Sequence, residues 1–148
     1  MVQLSPSAQK VQDALRDLGF ALTVIEHAES TRTAQEAAER VGVRLGQIVK
    51  SLIFKGKATG KPILVLTSGA NRVDEKRIEE YAGEKIERAE ANFVREVTGY
   101  ANPMETYLDE DLLQYDFIWA AAGTPNAVFE LTPGDLQTMT GGQLKCVR

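Results

Sequence analysis

One lysine lies in the middle of a run of mostly apolar residues. Lys50 lies within residues 47–55 (QIVKSLIFK), whose apolar and β-branched side chains predict a β-strand. Because alternate side chains of a strand point to opposite faces, Lys50 shares a face with Ile48 and Leu52. A lysine there must find an anion, lose its charge or extend its ammonium group to water. The pattern supports two interpretations about equally: an edge-strand lysine that reaches solvent, and a cation at the floor of an anion-binding cleft.

A second candidate site is the turn between two apolar runs, residues 121–126 (AAGTPN). Small residues and turn formers let backbone amides approach a ligand, and such amides can stabilise a carbonyl oxygen or a developing oxyanion. The same residue types are common in tight turns that have no further role. Turn chemistry alone therefore favours the purely structural interpretation.

The other reactive side chains indicate no metal site and no nucleophile–base pair. His27 is the only histidine and Cys146 the only cysteine, so neither a multi-histidine metal site nor a disulfide framework can form. We interpret His27 as structural, Cys146 as a bystander thiol, and the acidic residues 109–111 as a solvated turn. The sequence also lacks the glycine-rich loops that bind phosphates or dinucleotides. No metal and no cofactor is expected.

The elements that would hold these residues alternate without a regular βαβ order, which favours a single compact α+β domain. Apolar spacing and capping residues predict helices over residues 5–18, 33–41, 73–81 and 92–97, and another that begins at residue 132. Apolar and β-branched runs predict strands over residues 21–27, 47–55, 62–67, 105–108, 117–121, 127–131 and 144–147. The second and third of these strands are expected to form a hairpin in the centre of a sheet.

The composition limits the classes of protein that are compatible with the sequence. The chain has 148 residues, of which 43% are hydrophobic and 26% charged, so we expect one domain over residues 1–148. The net charge of −4 argues against a dedicated, high-affinity nucleic-acid binder. No apolar run reaches the roughly 20 residues that span a bilayer, and no export signal is visible. We therefore expect a cytoplasmic protein with no membrane partner.

Several segments follow one another in the order found in a known family. They are residues 33–38 (TAQEAA), 47–54 (QIVKSLIF), 98–100 (TGY), 123–126 (GTPN) and 131–136 (LTPGDL). In this ordered set the chain resembles the YbaK/prolyl-tRNA synthetase-associated domain, whose members are aminoacyl-tRNA deacylases. The resemblance implies a mixed α+β fold around a central, barrel-like sheet flanked by helices. It also implies hydrolysis of mischarged tRNA, mainly tRNA(Pro) that carries alanine, cysteine or another wrong residue.

The resemblance also assigns roles to individual residues. The key lysine of the family matches Lys50, and its late small-residue loop matches Gly123 and Thr124, so these three residues are the expected catalytic residues. The expected substrate contacts are Thr31, Thr33, Ser51, Ala122, Pro125 and Asn126. Some relatives carry His-Pro where this chain has Thr-Pro, and cysteine-specific members carry Ser-Gly-Gly where it has Ala-Ala-Gly. The resemblance therefore does not favour a cysteine-specific enzyme.

An aminoacyl ester is already activated, so its hydrolysis needs no covalent nucleophile. In this hypothesis Lys50 binds a phosphate or ribose oxygen of the terminal adenosine, or the scissile carbonyl. Backbone amides near Gly123 and Thr124 orient the ester, and water or the side chain of the substrate attacks it. The expected partners are the acceptor end of an aminoacyl-tRNA and prolyl-tRNA synthetase, with no DNA.

One departure from the family supports a rival hypothesis. Relatives continue after the Thr-Gly-Tyr motif through a glycine- and proline-rich segment that lines the pocket, whereas here Tyr100 and Ala101 lead directly to Asn102. Either the protein lacks this loop or the printed sequence omits it, and the good fit of both flanks favours omission. A protein that lacks the loop would be a non-catalytic relative that binds a nucleotide or a protein partner.

Overall fold

The computed structural model describes residues 3–28, 33–89, 105–122, 124 and 126–148. The helices in these residues are α1 (Pro6–Asp17), α2 (Ala34–Val41), α3 (Glu75–Ala82) and α4 (Pro133–Thr140). The strands are β1 (Val24–Glu26), β2 (Val49–Gly56), β3 (Pro62–Ser68), β4 (Ile86–Arg88), β5 (Glu105–Asp109), β6 (Ile118–Ala121), β7 (Ala127–Leu131) and β8 (Gln143–Lys145). Short 3₁₀ helices cover Leu45–Gln47 and Glu110–Gln114.

Capping residues define where the helices begin. The hydroxyls of Ser5, Thr33 and Thr132 each accept a hydrogen bond from a backbone N–H in the first turn of α1, α2 and α4. Such a cap satisfies a donor that has no partner within the helix. Helix α2 ends at Gly42, which adopts a left-handed conformation with φ of 76°. The predicted starts of these three helices, at residues 5, 33 and 132, are confirmed to within one residue.

The larger sheet is mixed and has the strand order β4-β2-β3-β5-β8. Strands β2 and β3 form the predicted antiparallel hairpin at its centre, with Lys50 paired to Thr67. Strand β5 runs parallel to β3, with Leu108 paired to Leu66, and β8 runs parallel to β5. The predicted mixed α+β fold is confirmed.

The smaller sheet is antiparallel and has the order β1-β7-β6; within the described residues, one β-bridge links it to the larger sheet. A parallel bridge joins Ile48, just before β2, to Trp119 in β6. Helix α2 packs over this junction through Ala37 and Ala38, which form a buried cluster with the two bridging residues. The alanines let the helix approach closely, and this packing fixes the start of α2 beside the start of β2.

Two further apolar clusters cover the two faces of the larger sheet. One lies between the two sheets and includes Leu15 of α1, Leu66 of β3 and Phe129 of β7. The other lies under α3 and joins Ile78 to Phe54 of β2. Each of these side chains is at most 5% exposed, and burial of one such side chain contributes about 1.5–3 kcal/mol. No helix within the described residues is long and apolar enough to cross a membrane.

Several local predictions differ from the structure. Strand β1 covers only Val24–Glu26 of the predicted residues 21–27, and β4 was not predicted, because a three-residue edge strand has too few side chains to show a period. The prediction of a solvated turn at residues 109–111 is wrong, since Asp109 is fully buried. The predicted helix at residues 92–97, the Thr-Gly-Tyr motif and the junction at residues 100–102 lie outside the described residues.

Candidate active site

The side chain of Lys50 is half-buried in β2 and lies directly across from Thr67 of β3. Side chains paired in this way point to the same face of the sheet, with Cβ atoms about 4.5–5.5 Å apart. Among the described residues, none forms a hydrogen bond or an ion pair with the ammonium group of Lys50. Within the described chain, its ammonium group is therefore available to an external anion or oxygen.

The bridge between the sheets places Lys50 beside β6. At the bridge, Ile48 and Trp119 belong to chain segments that run in the same direction. Lys50 and Ala121 each lie two residues further along, so the alternation of side chains puts both on the face that carries the bridging residues. The lysine and the end of β6 therefore border one region of the surface.

An apolar floor extends from that point across the smaller sheet. It consists of Ala121, Val128 and Ile25, which the strand register pairs in a continuous row. Ala121 is exposed, Val128 is half-buried and Ile25 is 43% exposed. The floor is partly open to solvent, since Val128 at its centre packs against the buried cluster under α2, and Lys50 lies at one end of it.

The first turn of α2 lies at the edge of this region. Thr33 caps the helix, and Ala34 follows it near the turn after β3, since a Cβ atom built on Gly69 would lie 3.4 Å from the Ala34 Cβ. The same Cβ would lie 2.6 Å from the carbonyl oxygen of Leu45, so only glycine fits there. The first turn of a helix has a partial positive charge, which adds to that of Lys50.

The turn between β6 and β7 contains two described members of the predicted site, Thr124 and Asn126. The Thr124 hydroxyl lies 3.0 Å from the Asn126 Oδ1, and the Asn126 carbonyl accepts a 2.8 Å hydrogen bond from the backbone N–H of His27. The Nε2 atom of His27 is buried and has no hydrogen-bond partner among the described residues. The turn is thus held against β1 by both backbone and side-chain contacts.

Glu26 links this turn to α1, and sequence reasoning missed it. Its Oε1 accepts a 2.7 Å bond from the Ser5 backbone N–H, and its Oε2 accepts a 2.8 Å bond from the Ser5 hydroxyl. The Thr124 hydroxyl lies 3.2 Å from the same Oε2. These donors, the Ser5 N–H foremost, hold the pKa of Glu26 below its usual value. No periodicity in the sequence marks a contact across 98 residues.

Asp109 is the second residue that sequence reasoning missed. Its Oδ2 accepts hydrogen bonds from the Thr67 hydroxyl at 3.1 Å, the Ser68 backbone N–H at 2.9 Å and the Asn71 amide at 2.9 Å. Its Oδ1 accepts one from the Asp111 backbone N–H at 2.9 Å. Four donors replace the water that a carboxylate needs, which is why this acidic residue can be buried.

The structure brings some of the predicted site residues together and separates others. Lys50 lies beside the end of β6, and the turn that contains Thr124 and Asn126 follows that same end. Ser51 points to the opposite face of β2 from Lys50, and the side chain of Ala122 is fully buried in the core between the sheets. Thr33 is exposed and serves as the cap of α2. The predicted site residues that lie outside the described residues are Thr31, Gly123 and Pro125.

Known proteins are similar to this chain in sequence or in structure. YwhH, an uncharacterized protein of Bacillus subtilis (strain 168), is 34% identical over 123 residues, which cover 76% of this chain and 78% of YwhH. EbsC of Enterococcus faecalis, named as a candidate Cys-tRNA(Pro)/Cys-tRNA(Cys) deacylase, is 30% identical over 127 residues, which cover 78% and 77%. A crystal structure described as a candidate trans-editing enzyme for prolyl-tRNA synthetase is 46% identical, covers 99% of each chain and has a TM-score of 0.91.

A family model gives the assignment that these similarities support. The model of the aminoacyl-tRNA editing domain matches residues 28–139, a range that contains β2, the apolar floor except Ile25, and the turn after β6. The resemblance inferred from the ordered motifs is confirmed. The chain belongs to the aminoacyl-tRNA editing domain family.

Proposed function

We propose that this protein is an aminoacyl-tRNA deacylase that hydrolyses the ester of mischarged tRNA, with tRNA(Pro) carrying a non-cognate amino acid as its substrate. The observation that carries the proposal is the cation of Lys50, which has no partner in the described chain, beside a partly open apolar floor. Membership of the editing-domain family supports the reaction class. The description of the structural relative supports the link to prolyl-tRNA synthetase.

The geometry suggests how the two ends of the substrate would bind. The terminal adenosine carries phosphate and ribose oxygens, and Lys50 with the first turn of α2 offers positive charge to them. The aminoacyl group would then extend over the floor formed by Ala121, Val128 and Ile25. These side chains offer apolar surface and no hydrogen-bonding group, so they favour a small apolar acyl side chain over a charged one.

The chemical step requires no covalent intermediate on the protein. A water oxygen attacks the ester carbonyl carbon, and the bond between that carbon and the ribose oxygen breaks. The water proton passes to the ribose oxygen, so the products are a free amino acid and a tRNA with an intact terminal hydroxyl. In this proposal, Lys50 and the backbone amides near Gly123 and Thr124 position the ester and stabilise the negative charge that develops on its carbonyl oxygen.

The test is a panel of tRNA(Pro) charged with alanine, cysteine or serine, with prolyl-tRNA(Pro) as the cognate control. We expect release of free amino acid from at least one mischarged tRNA and no release of proline. Lys50→Ala should lower deacylation by about 100-fold or more, while Lys57→Ala, which removes an exposed lysine from the β2–β3 turn, should leave it unchanged.

Two results would contradict the proposal. Binding of the mischarged tRNA without release of amino acid would identify a non-catalytic member of the family. Full activity of Lys50→Ala would instead remove the lysine from the mechanism. The circular dichroism spectrum and melting temperature of each variant must match those of the wild type, so that loss of the fold is not mistaken for loss of chemistry.

A further inference from the structure

The buried carboxylate of Asp109 lies in the same row of side chains as Lys50. Strand β5 runs parallel to β3 with Leu108 paired to Leu66, so the next residues, Asp109 and Thr67, are neighbours on the opposite face. The 3.1 Å hydrogen bond from the Thr67 hydroxyl to the Asp109 Oδ2 shows the contact directly. Because Thr67 is also paired with Lys50 across β2 and β3, one buried threonine separates the carboxylate from the lysine.

Asp109 also holds the turn that follows β3. The backbone N–H of Ser68 and the side-chain amide of Asn71 both donate to its Oδ2 at 2.9 Å, so the two ends of residues 68–71 are fixed to one oxygen. Loss of this carboxylate would take the acceptor from the N–H groups of Ser68 and Asp111, and would remove one of the acceptors of the Thr67 hydroxyl and the Asn71 amide. A buried donor that is left unpaired costs more than an ordinary hydrogen bond contributes.

The turn that Asp109 holds forms hydrogen bonds with the segment that precedes Lys50. The Gly69 N–H donates to the Ile48 carbonyl oxygen at 2.7 Å, and the Ser68 hydroxyl donates to the Gly46 carbonyl oxygen at 2.7 Å. Gly46 and Ile48, which precede Lys50 in the chain, are therefore tied to the turn by these two hydrogen bonds. Asp109 is thus linked to Lys50 in two ways. One link is Thr67, and the other is the turn of residues 68–71, which contacts the segment before β2.

We propose that Asp109 is a positioning residue for Lys50: it fixes Thr67 and the turn of residues 68–71, and through them it sets where the lysine presents its ammonium group. This inference rests on the proposed deacylase function for its consequence in catalysis. Asp109 is fully buried, so it does not touch the substrate itself.

Two variants remove the hydrogen bond between Thr67 and Asp109, one from each side. Asp109→Ala removes the acceptor, and Thr67→Val removes only the hydroxyl with nearly the same volume. Thr67→Ser keeps the hydroxyl and is the conservative variant. The matched control is Asp111→Ala, because Asp111 accepts bonds from Asn71 and Arg148 in the same network without contacting Thr67.

The first readout is the reactivity of Lys50 itself. The protein is treated briefly with a succinimidyl ester, and labelling of Lys50 is measured by mass spectrometry relative to the exposed Lys57 in the same molecule. We expect Asp109→Ala and Thr67→Val to change this ratio by about threefold or more, since amine reactivity follows exposure and protonation. Thr67→Ser and Asp111→Ala should keep the wild-type ratio.

The second readout is deacylation of the best substrate in the panel. The kcat/KM of Asp109→Ala and Thr67→Val should fall by about 10-fold to 100-fold, the range that a small misplacement of a catalytic group produces. Thr67→Ser and Asp111→Ala should stay within about twofold of the wild type, even where Asp111→Ala lowers the melting temperature.

Each outcome decides the inference. If folded Thr67→Val keeps the wild-type labelling ratio and rate, the inference is overturned, and this variant decides alone if Asp109→Ala does not fold. If Asp111→Ala changes the ratio as much as Thr67→Val does, the effect is general loosening and the inference also fails. If the wild type deacylates no tRNA, the proposed function fails, and the labelling ratio still tests the positioning of Lys50.

Discussion

At the scale of single residues, the candidate site depends on groups that carry no reactive chemistry of their own. Lys50 could be identified in the sequence because a lysine within an apolar strand is unusual. Glu26 and Asp109 could not be, because an acidic residue at the end of a strand looks like part of a solvated turn. Glu26 is recognisable only from its donors Ser5 and Thr124. Asp109 is recognisable only from its donors Thr67, Ser68 and Asn71.

The contacts of Glu26 predict a dependence of stability on pH. Its pKa is lowered in the folded protein, so its contribution to stability is complete above the unfolded pKa of about 4.3 and is lost as the pH falls through the lower folded pKa. Glu26→Gln should therefore be less stable than the wild type at pH 7, and the difference should vanish in acid. Urea unfolding from pH 7 to pH 2.5 measures it.

A matched variant removes one of the three contacts of that carboxylate. Ser5→Ala removes the hydroxyl that Glu26 accepts from but leaves Thr124 in place. It should lower stability, also through loss of the α1 cap, by about 0.5–2 kcal/mol without a change in deacylation. A difference between Glu26→Gln and the wild type that is the same at pH 7 and pH 2.5 would show that ionisation of Glu26 is not its source.

At the scale of elements, the turn after β3 depends on a glycine. A Cβ atom at Gly69 would lie 2.6 Å from the Leu45 carbonyl oxygen and 3.1 Å from that of Ile48, and both are backbone atoms that cannot rotate away. We expect Gly69→Ala to destabilise the protein by about 1–3 kcal/mol, as overpacking does, and to lower deacylation as well. Chemical denaturation and the tRNA assay measure the two effects.

Gly134→Ala is the matched control for that prediction. Gly134 lies in the first turn of α4, and the nearest atom to an added Cβ would be the Thr132 hydroxyl at 3.8 Å. The substitution should be neutral or stabilise by up to about 1 kcal/mol, because alanine favours a helix more than glycine does. Equal stability changes in the two variants would contradict the steric explanation at Gly69.

The same elements show what could be predicted from the sequence. Helices α1, α2 and α4 and the β2–β3 hairpin were predicted because caps and apolar runs are local signals. The bridge between Ile48 and Trp119 was not, although it places Lys50 beside the floor. A contact between residues 71 positions apart depends on how the two sheets pack, and no short motif encodes that packing.

At the scale of the whole molecule, the net charge of −4 limits how this protein can hold a tRNA. A protein that grips the body of a tRNA neutralises many phosphates and carries a basic surface. Here the proposed contact is confined to the acceptor end, where Lys50 and the first turn of α2 offer positive charge. Prolyl-tRNA synthetase would hold the rest of the tRNA in this scheme.

This arrangement predicts a weak dependence of binding on salt. Each phosphate contact to a single strand contributes about −0.7 to the slope of log K against log salt concentration, so one or two contacts give a slope of about −0.7 to −1.4. The measurement uses an acceptor-stem RNA with a non-hydrolysable, amide-linked alanine at its single-stranded end, with affinity followed by fluorescence anisotropy from 50 to 300 mM KCl.

Two variants test whether Lys50 contributes to that slope. Lys50→Ala should reduce the magnitude of the slope by about 0.7, the contribution of one contact, and Lys57→Ala should leave it unchanged. A slope steeper than about −4 in the wild type would mean that the protein contacts much more of the RNA backbone than the site offers. An unchanged slope in Lys50→Ala would mean that the lysine contacts the ribose or the carbonyl oxygen and not a phosphate. A hydrogen bond to either oxygen releases no counterion, so the lysine would then stabilise the ester group itself.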